Sequence, residues 1–101
     1  MEILIESLSL VAYQKECDGS EINAGRFSTL VECAEICKGK STVFAFGAKV
    51  PRSSNNRCFA DGCQCLCETS ASTDGTCSQA SHIGYRLYKY RYYKNSKYQF
   101  A

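Results

Sequence analysis

The sequence predicts the α+β fold class: a small disulfide-rich domain in which one helix packs on a β-sheet. Eight of its 101 residues are cysteines, a density typical of secreted domains that disulfides stabilise. One segment has an N-terminal capping motif, an apolar stripe at helical spacing and a C-terminal glycine, as a helix does, and four other segments have the composition or alternation of strands. A chain of this length forms one domain, so we treat residues 1–101 as a single unit.

The helix is predicted over Leu30–Lys38. Thr29 and Glu32 fit a capping box, in which the threonine hydroxyl accepts from the backbone N–H of Glu32 while the Glu32 carboxylate reaches back to Thr29. Gly39 stands where a helix ends in a left-handed C′ residue. The sequence therefore specifies both ends of this helix locally.

Two cysteines lie one turn apart on the apolar stripe of this helix. Leu30, Cys33, Ala34 and Cys37 recur at i, i+3, i+4 and i+7, so both sulfurs face the core. Four helical residues rise about 6 Å, and two strand residues rise about 6.6 Å. An extended Cys63–Cys67 segment points three cysteines to one side. The spacing predicts two nearly parallel helix-to-strand bridges and leaves open which strand cysteines form them.

Strand and loop segments alternate along the rest of the chain. β-branched and aromatic residues, or alternation of apolar and polar residues, mark the strands. Small polar residues, proline and asparagine mark the loops. Residues 94–101 are expected to form a flexible tail or to add a short length of strand. The predicted strands are Glu2–Leu10, Thr42–Gly47, Cys58–Glu68 (with a bend at Asp61-Gly62) and Ile83–Tyr93, and the predicted loops are Pro51–Asn56 and Thr69–His82.

Three segments resemble the PAN/apple domain family: the helix Ser28–Cys37, the aromatic strand Val43–Gly47 and the closing strand Gly84–Tyr90. The resemblance covers roughly residues 13–93, and the Cys-x-Cys-x-Cys strand looks like a divergent invertebrate-type member. It implies a curled antiparallel sheet with one helix packed across it, and disulfides from the helix to the central strands. It also implies an extracellular module that binds protein or carbohydrate and has no catalytic activity of its own.

The cysteine pattern departs from that family, because Ser41-Thr42 replaces a familiar cysteine and extra cysteines stand at Cys63–Cys67. Eight cysteines allow 105 connectivities in principle. By analogy with the family, Cys17 pairs with Cys77, and Cys33 and Cys37 pair within the group from Cys58 to Cys67. The residues expected in disulfides are Cys17, Cys33, Cys37, Cys58, Cys63, Cys65, Cys67 and Cys77.

Metal binding and catalysis are the two sharper alternatives. The cysteines from Cys58 to Cys77 with His82 offer ligands for a zinc cluster, but C-x2-C pairs are absent from the sequence and two further cysteines face a helical core. Catalysis by a Cys–His pair needs a free thiol, which an even cysteine count does not leave. The acidic residues form no recognisable pair. We therefore expect disulfides, with no metal, no cofactor and no enzymatic activity.

The tyrosine-rich closing segment is the candidate binding region. Six of the seven tyrosines lie between Tyr85 and Tyr98, interleaved with five bases. Tyrosine provides rigid amphipathic contacts, and arginine or lysine binds sulfate and carboxylate groups. Tyr85 and Leu87 are expected in the core. The candidate binding residues are Arg86, Tyr88, Lys89, Tyr90, Arg91 and Tyr92.

The distribution of charge along the chain indicates what kind of partner the basic C-terminal part could bind. Residues 1–35 carry seven acids and two bases, whereas residues 75–101 carry five bases and no acid. Either the terminal strands pair, or the basic end meets an anionic partner. The net charge of +2 and the secreted character disfavour nucleic acid.

The main hypothesis is a secreted, extracellular recognition module that binds a glycan or a protein. The alternative is a structural or adhesive matrix protein that uses the Tyr/Lys-rich C-terminal segment. The apolar-leaning stretch near the N-terminus is too short and polar to span a membrane, and Glu2 and Glu6 stand where a signal peptide is basic or apolar. We therefore expect a mature chain without a membrane span.

Overall fold

A computed structural model describes residues 4–47, 58 and 62–94. Within these residues one helix and five strands follow one another, and the strands form one sheet. The α+β, disulfide-rich class predicted from the sequence is confirmed. The elements are β1 (Leu4–Cys17), β2 (Ile22–Phe27), α1 (Leu30–Cys37), β3 (Val43–Gly47), β4 (Cys63–Cys67) and β5 (Gln79–Lys94).

The sheet has the strand order β1-β5-β3-β4-β2, and every neighbouring pair is antiparallel. The two longest strands, β1 and β5, lie side by side, with Ser7 opposite Arg91 and Leu8 opposite Tyr90. The acidic N-terminal part and the basic C-terminal part of the chain therefore meet in paired strands, the first of the two arrangements that the charge distribution allowed.

Helix α1 begins at Leu30, as its sequence predicts, and ends at Cys37, one residue before the predicted end, with Lys38 as its C-cap. The backbone N–H of Glu32 donates to Thr29 Oγ1 at 3.2 Å, and the backbone N–H of Thr29 donates to Glu32 Oε1 at 3.0 Å. Gly39 follows the C-cap with φ of +83°, a conformation that glycine adopts without steric cost. The capping box is worth about 1 kcal/mol.

The core lies on both faces of the sheet. On one face, α1 contributes Cys33, Ala34 and Cys37, which pack on Phe44 of β3 and on Tyr90 of β5. Successive strand residues point to opposite faces, so the neighbours of these residues form a second cluster. That cluster consists of Cys17, Val43, Ala45, Leu66, Tyr85 and Leu87.

Four disulfides bond all eight cysteines. Cys33–Cys65 and Cys37–Cys67 join α1 to β4, with Cα–Cα distances of 5.5 and 5.2 Å. These two bridges, the helix clamp, are the arrangement that the matched helix and strand spacing predicted. Cys17–Cys77 is the pair that the family resemblance implied, and Cys58–Cys63 closes a short loop. None of the eight sulfurs is available as a thiolate for a metal.

The strand boundaries differ from the sequence prediction in several places. β1 continues to Cys17 through two irregularities that follow Leu10 and Tyr13, and β5 starts at Gln79, inside the predicted loop. β4 is Cys63–Cys67 within the predicted Cys58–Glu68, and residues 59–61 of that prediction, with Asp61 of the predicted bend, lie outside the described residues. The strand β2 was not predicted, because Asn23 and Gly25 interrupt its alternation. The predicted loop 51–56 and residues 95–101 of the predicted tail lie outside the described residues.

Candidate functional site

Arg86 and Tyr88 lie on the helix-bearing face of the sheet. Arg86 stands opposite Phe46 of β3 on one side and opposite Tyr13 of β1 on the other. Cross-strand partners share a face and lie within side-chain contact, so these three residues form a row across the sheet. The tertiary pairing thus places Tyr13, which the sequence did not single out, beside a predicted binding residue.

This row opens into a groove of about 340 Å³, which we call the aromatic groove. Tyr13, Gln14, Phe46, Arg86 and Tyr88 line it, together with parts of α1 and the Cys58–Cys63 bridge. The Arg86 guanidinium lies over the Tyr13 ring, 5.4 Å from its centroid, a cation–π arrangement. Tyr13 is 64% exposed, which leaves an aromatic face accessible next to a cation.

A local irregularity of β1 shapes this groove. Gln14 has φ of +55°, unusual for a residue with a side chain, and it lies between the pairs Tyr13–Arg86 and Lys15–Ser81, where the register shifts. Such irregularities change the direction in which side chains point, and they are common beside functional sites. Nothing local in the sequence marks Gln14, because the shift depends on how β1 pairs with β5.

The other predicted binding residues are separated from this groove. Lys89 pairs with Val43 on the opposite face of the sheet and lies against Gly75. Tyr90 is 9% exposed, packs on Phe44 and donates its hydroxyl to the carbonyl oxygen of Ala34 in α1. The six residues therefore do not form one continuous surface. Arg91 and Tyr92 belong to β5 by their backbone pairing, and their side chains lie outside the described residues.

A larger cavity of about 440 Å³ lies between the end of α1 and the loop around residues 69–75. Lys40, Asp74 and Lys89 supply charges of both signs there, and among the described residues Tyr90 is the one aromatic residue that lines it. Because Tyr90 is a core residue, the described part of this cavity presents no exposed aromatic face. The smaller aromatic groove is the stronger candidate for a binding site.

Three carboxylates meet on the other side of the molecule, contrary to the expectation that the acids form no group. Glu16, Glu21 and Glu68 each place a carboxylate oxygen within 4.8 Å of the others. Glu68 is fully buried: its Oε2 accepts the Cys17 N–H at 2.9 Å, and its Oε1 has no hydrogen-bond partner. Burial, followed by a side-chain hydrogen bond to Glu21, raises the pKa of Glu68 to about 8. A hydrogen bond between two carboxyl groups requires that one of them holds a proton.

His82 lies on β5 rather than in a solvated loop. Its Nδ1 accepts the Gly84 N–H at 3.2 Å, and its ring meets the edge of Tyr85 with 4.6 Å between centroids. Burial raises the pKa of Tyr85 to about 12, and the charges of Glu16, Glu21 and Glu68 add to this rise. His82 and Tyr85 thus belong to the surroundings of the three carboxylates.

Comparison with protein-family models, curated proteins and solved structures finds no match to this chain. Among the residues that the structure describes, no helix has the length and apolar character needed to cross a membrane. The aromatic groove and the carboxylate group are therefore interpreted from their own chemistry.

Proposed function

We propose that this chain is a secreted recognition module, without enzymatic activity, that binds an anionic extracellular glycan in the aromatic groove. The observation that carries the proposal is the Arg86 guanidinium over the exposed Tyr13 ring. Sugar rings stack on accessible aromatic faces, and a guanidinium binds sulfate or carboxylate groups through paired hydrogen bonds. The resemblance to PAN/apple domains supports the same class of function.

The disulfide scaffold supports the proposed location and the proposed role. Four disulfides persist in oxidising compartments such as the extracellular space. Two of them, Cys33–Cys65 and Cys37–Cys67, join α1 to β4 and so hold the helix beside the groove, where Leu30 is a lining residue. A preformed groove loses little conformational entropy on binding, which favours affinity.

The test compares two arginine variants that remove the same charge. Arg86→Gln changes the groove, whereas Arg26→Gln changes an exposed arginine on β2, at the opposite edge of the sheet. Binding of a sulfated heparan-type oligosaccharide is measured by calorimetry, with its desulfated form as the ligand control. A charged hydrogen bond is worth about 1.5–3 kcal/mol, so we expect Arg86→Gln to weaken binding at least tenfold and Arg26→Gln to have little effect.

Equal weakening by the two substitutions would show that only net charge attracts the oligosaccharide, which would contradict a groove site. A second pair of variants separates stacking from hydrogen bonding: Tyr13→Phe keeps the ring and should keep affinity, whereas Tyr13→Ala should lose it. If the oligosaccharide does not bind but an extracellular protein protects Tyr13 and Arg86 from chemical modification, the ligand is a protein instead.

The alternative function, adhesion through the Tyr/Lys-rich tail, depends mainly on residues 95–101, which lie outside the described residues. It stays a prediction from the sequence.

A further inference from the structure

We propose that Glu16, Glu21 and Glu68 form a binding site for one calcium ion. The three residues, which we call the carboxylate cluster, come from the end of β1, the turn before β2 and the residue after β4. Strand pairing brings them together, with one carboxylate oxygen of each within 4.8 Å of the other two. None of the three carboxylates lines the aromatic groove, although Tyr85 lines both cavities, and the site does not depend on the proposed glycan binding.

The buried carboxylate of Glu68 is the observation that points to a ligand. A charged group that is taken out of water needs a partner of opposite charge or a set of hydrogen bonds. Glu68 has 0% exposure, its Oε2 accepts the Cys17 N–H, and none of the described donor groups reaches its Oε1. Without a cation, a proton shared with Glu21 has to neutralise this buried pair. The two nearest charged neighbours of Glu68 in the cluster are themselves acidic. A cation between the three groups satisfies Oε1 and removes their mutual repulsion.

The spacing and the donor atoms favour calcium over other cations. Calcium binds oxygen at about 2.3–2.6 Å, so two of its ligand oxygens lie at most about 5 Å apart, and the separations within the cluster fall inside that limit. Magnesium gives up its water reluctantly and is usually held by one or two carboxylates, whereas the cluster offers three. Zinc prefers nitrogen and sulfur donors, and the cluster offers oxygen only.

The surroundings provide access and further oxygen ligands. Glu16 and Glu21 line a cavity of about 100 Å³, through which an ion can approach these two members of the cluster. Among the described residues that line this cavity there is no lysine or arginine. Asn23 and Gln64 line it too, and water completes the six to eight ligands that calcium takes. Leu66, His82 and Tyr85 complete the lining of this cavity, and none of them is needed as a ligand.

The experiment uses the oxidised full chain, freed of metal with a chelator and titrated with calcium chloride by calorimetry at neutral pH without glycan. We expect saturable binding of one ion. Glu21→Gln should weaken calcium binding at least tenfold. The control Glu35→Gln, which neutralises an exposed glutamate outside the cluster, on α1, should leave calcium binding unchanged. Glu21 is exposed, so its substitution does not disturb the core.

A terbium probe locates the ion independently of affinity. Terbium replaces calcium, and a neighbouring tyrosine sensitises its luminescence; Tyr85 lines the cavity. Tyr85→Phe should reduce the luminescence severalfold and keep the calcium binding. The proposal is overturned if calcium gives no saturable binding, if Glu35→Gln weakens it as much as Glu21→Gln, if magnesium binds as tightly, or if Tyr85→Phe keeps full luminescence.

Discussion

Removing one bridge of the helix clamp should cost much less stability than removing both. Cys33–Cys65 and Cys37–Cys67 join the same helix to the same strand, so they are not independent constraints on the unfolded chain. With Cys33–Cys65 intact, the second bridge closes a ring of only about eight residues, those from Cys33 to Cys37 and from Cys65 to Cys67. The perturbation is the paired substitution Cys37→Ala with Cys67→Ala, compared with alanine at all four positions.

The entropy model for cross-links gives the expected magnitudes. Closing a ring of about eight residues contributes about 2.5 kcal/mol. Closing a loop with a sequence separation of 32, that of Cys33–Cys65, contributes about 3.7 kcal/mol in the same model. The single-bridge variant should therefore lose about 2.5 kcal/mol, and the variant without either bridge about 6 kcal/mol. The second loss rivals the whole stability of a small domain, about 5–15 kcal/mol.

The assay is urea unfolding of the oxidised proteins followed by circular dichroism, with intact mass before and after reduction to count the bridges. Both clamp pairs are buried, so replacing either pair by alanine removes a similar amount of packing. The stability lost with the second bridge, beyond that lost with the first, therefore reports the difference between the two cross-links. A single-bridge variant as unstable as the variant without either bridge would refute the reasoning, because it would show that Cys33–Cys65 alone contributes no stability and that both bridges are needed to hold α1.

Two further predictions concern buried polar groups. Burial raises the pKa of Glu68 from 4.5 to about 8. Between these two pH values the native chain therefore holds a proton that the unfolded chain has released. With a chelator present, the free energy of unfolding should be greatest below pH 4.5 and should fall by up to about 1.4 kcal/mol per pH unit between pH 4.5 and pH 8. Glu68→Gln should remove this fall while Glu35→Gln keeps it, and unfolding curves in which stability rises from pH 5 to 8 would contradict the burial argument. Tyr90→Phe should lower stability by about 1 kcal/mol, because it removes the hydroxyl that donates to Ala34 while the Ala34 carbonyl keeps its bond from the Lys38 N–H. Tyr13→Phe, at an exposed position, is the matched control in thermal unfolding, and equal losses in the two variants would count against the buried role of Tyr90.

The sequence predicted the parts of the fold that depend on residues near one another in the chain. The capping box at Thr29 and Glu32, the stop at Gly39 and the inward stripe of α1 are set by hydrogen bonds and spacing within one turn. The strand Val43–Gly47 follows from its β-branched and aromatic composition. The strand β2 was missed because Gly25, at φ of +108°, and a register shift beside it break the alternation that sequence reasoning depends on.

The residues of the candidate site were harder to predict, because core residues pack on both faces of β5. Alternation correctly put Tyr88 and Tyr90 on one face and Tyr85 and Leu87 on the other. It did not show that α1 would bury Tyr90 and leave Arg86 exposed at the groove. Which residues of a strand stay exposed depends on where the helix lies across the sheet, and that position is a property of the whole fold.

The sequence by itself determined a disulfide-rich scaffold: eight cysteines, a capped helix and a cysteine strand whose spacings match. These features are local, so the chain specifies them before it folds. Only the tertiary structure decided that Cys65 and Cys67 close the helix clamp, that Tyr13 lies beside Arg86, and that Glu16, Glu21 and Glu68 meet. Each of these contacts joins residues distant in the chain, and the strand order β1-β5-β3-β4-β2 creates them.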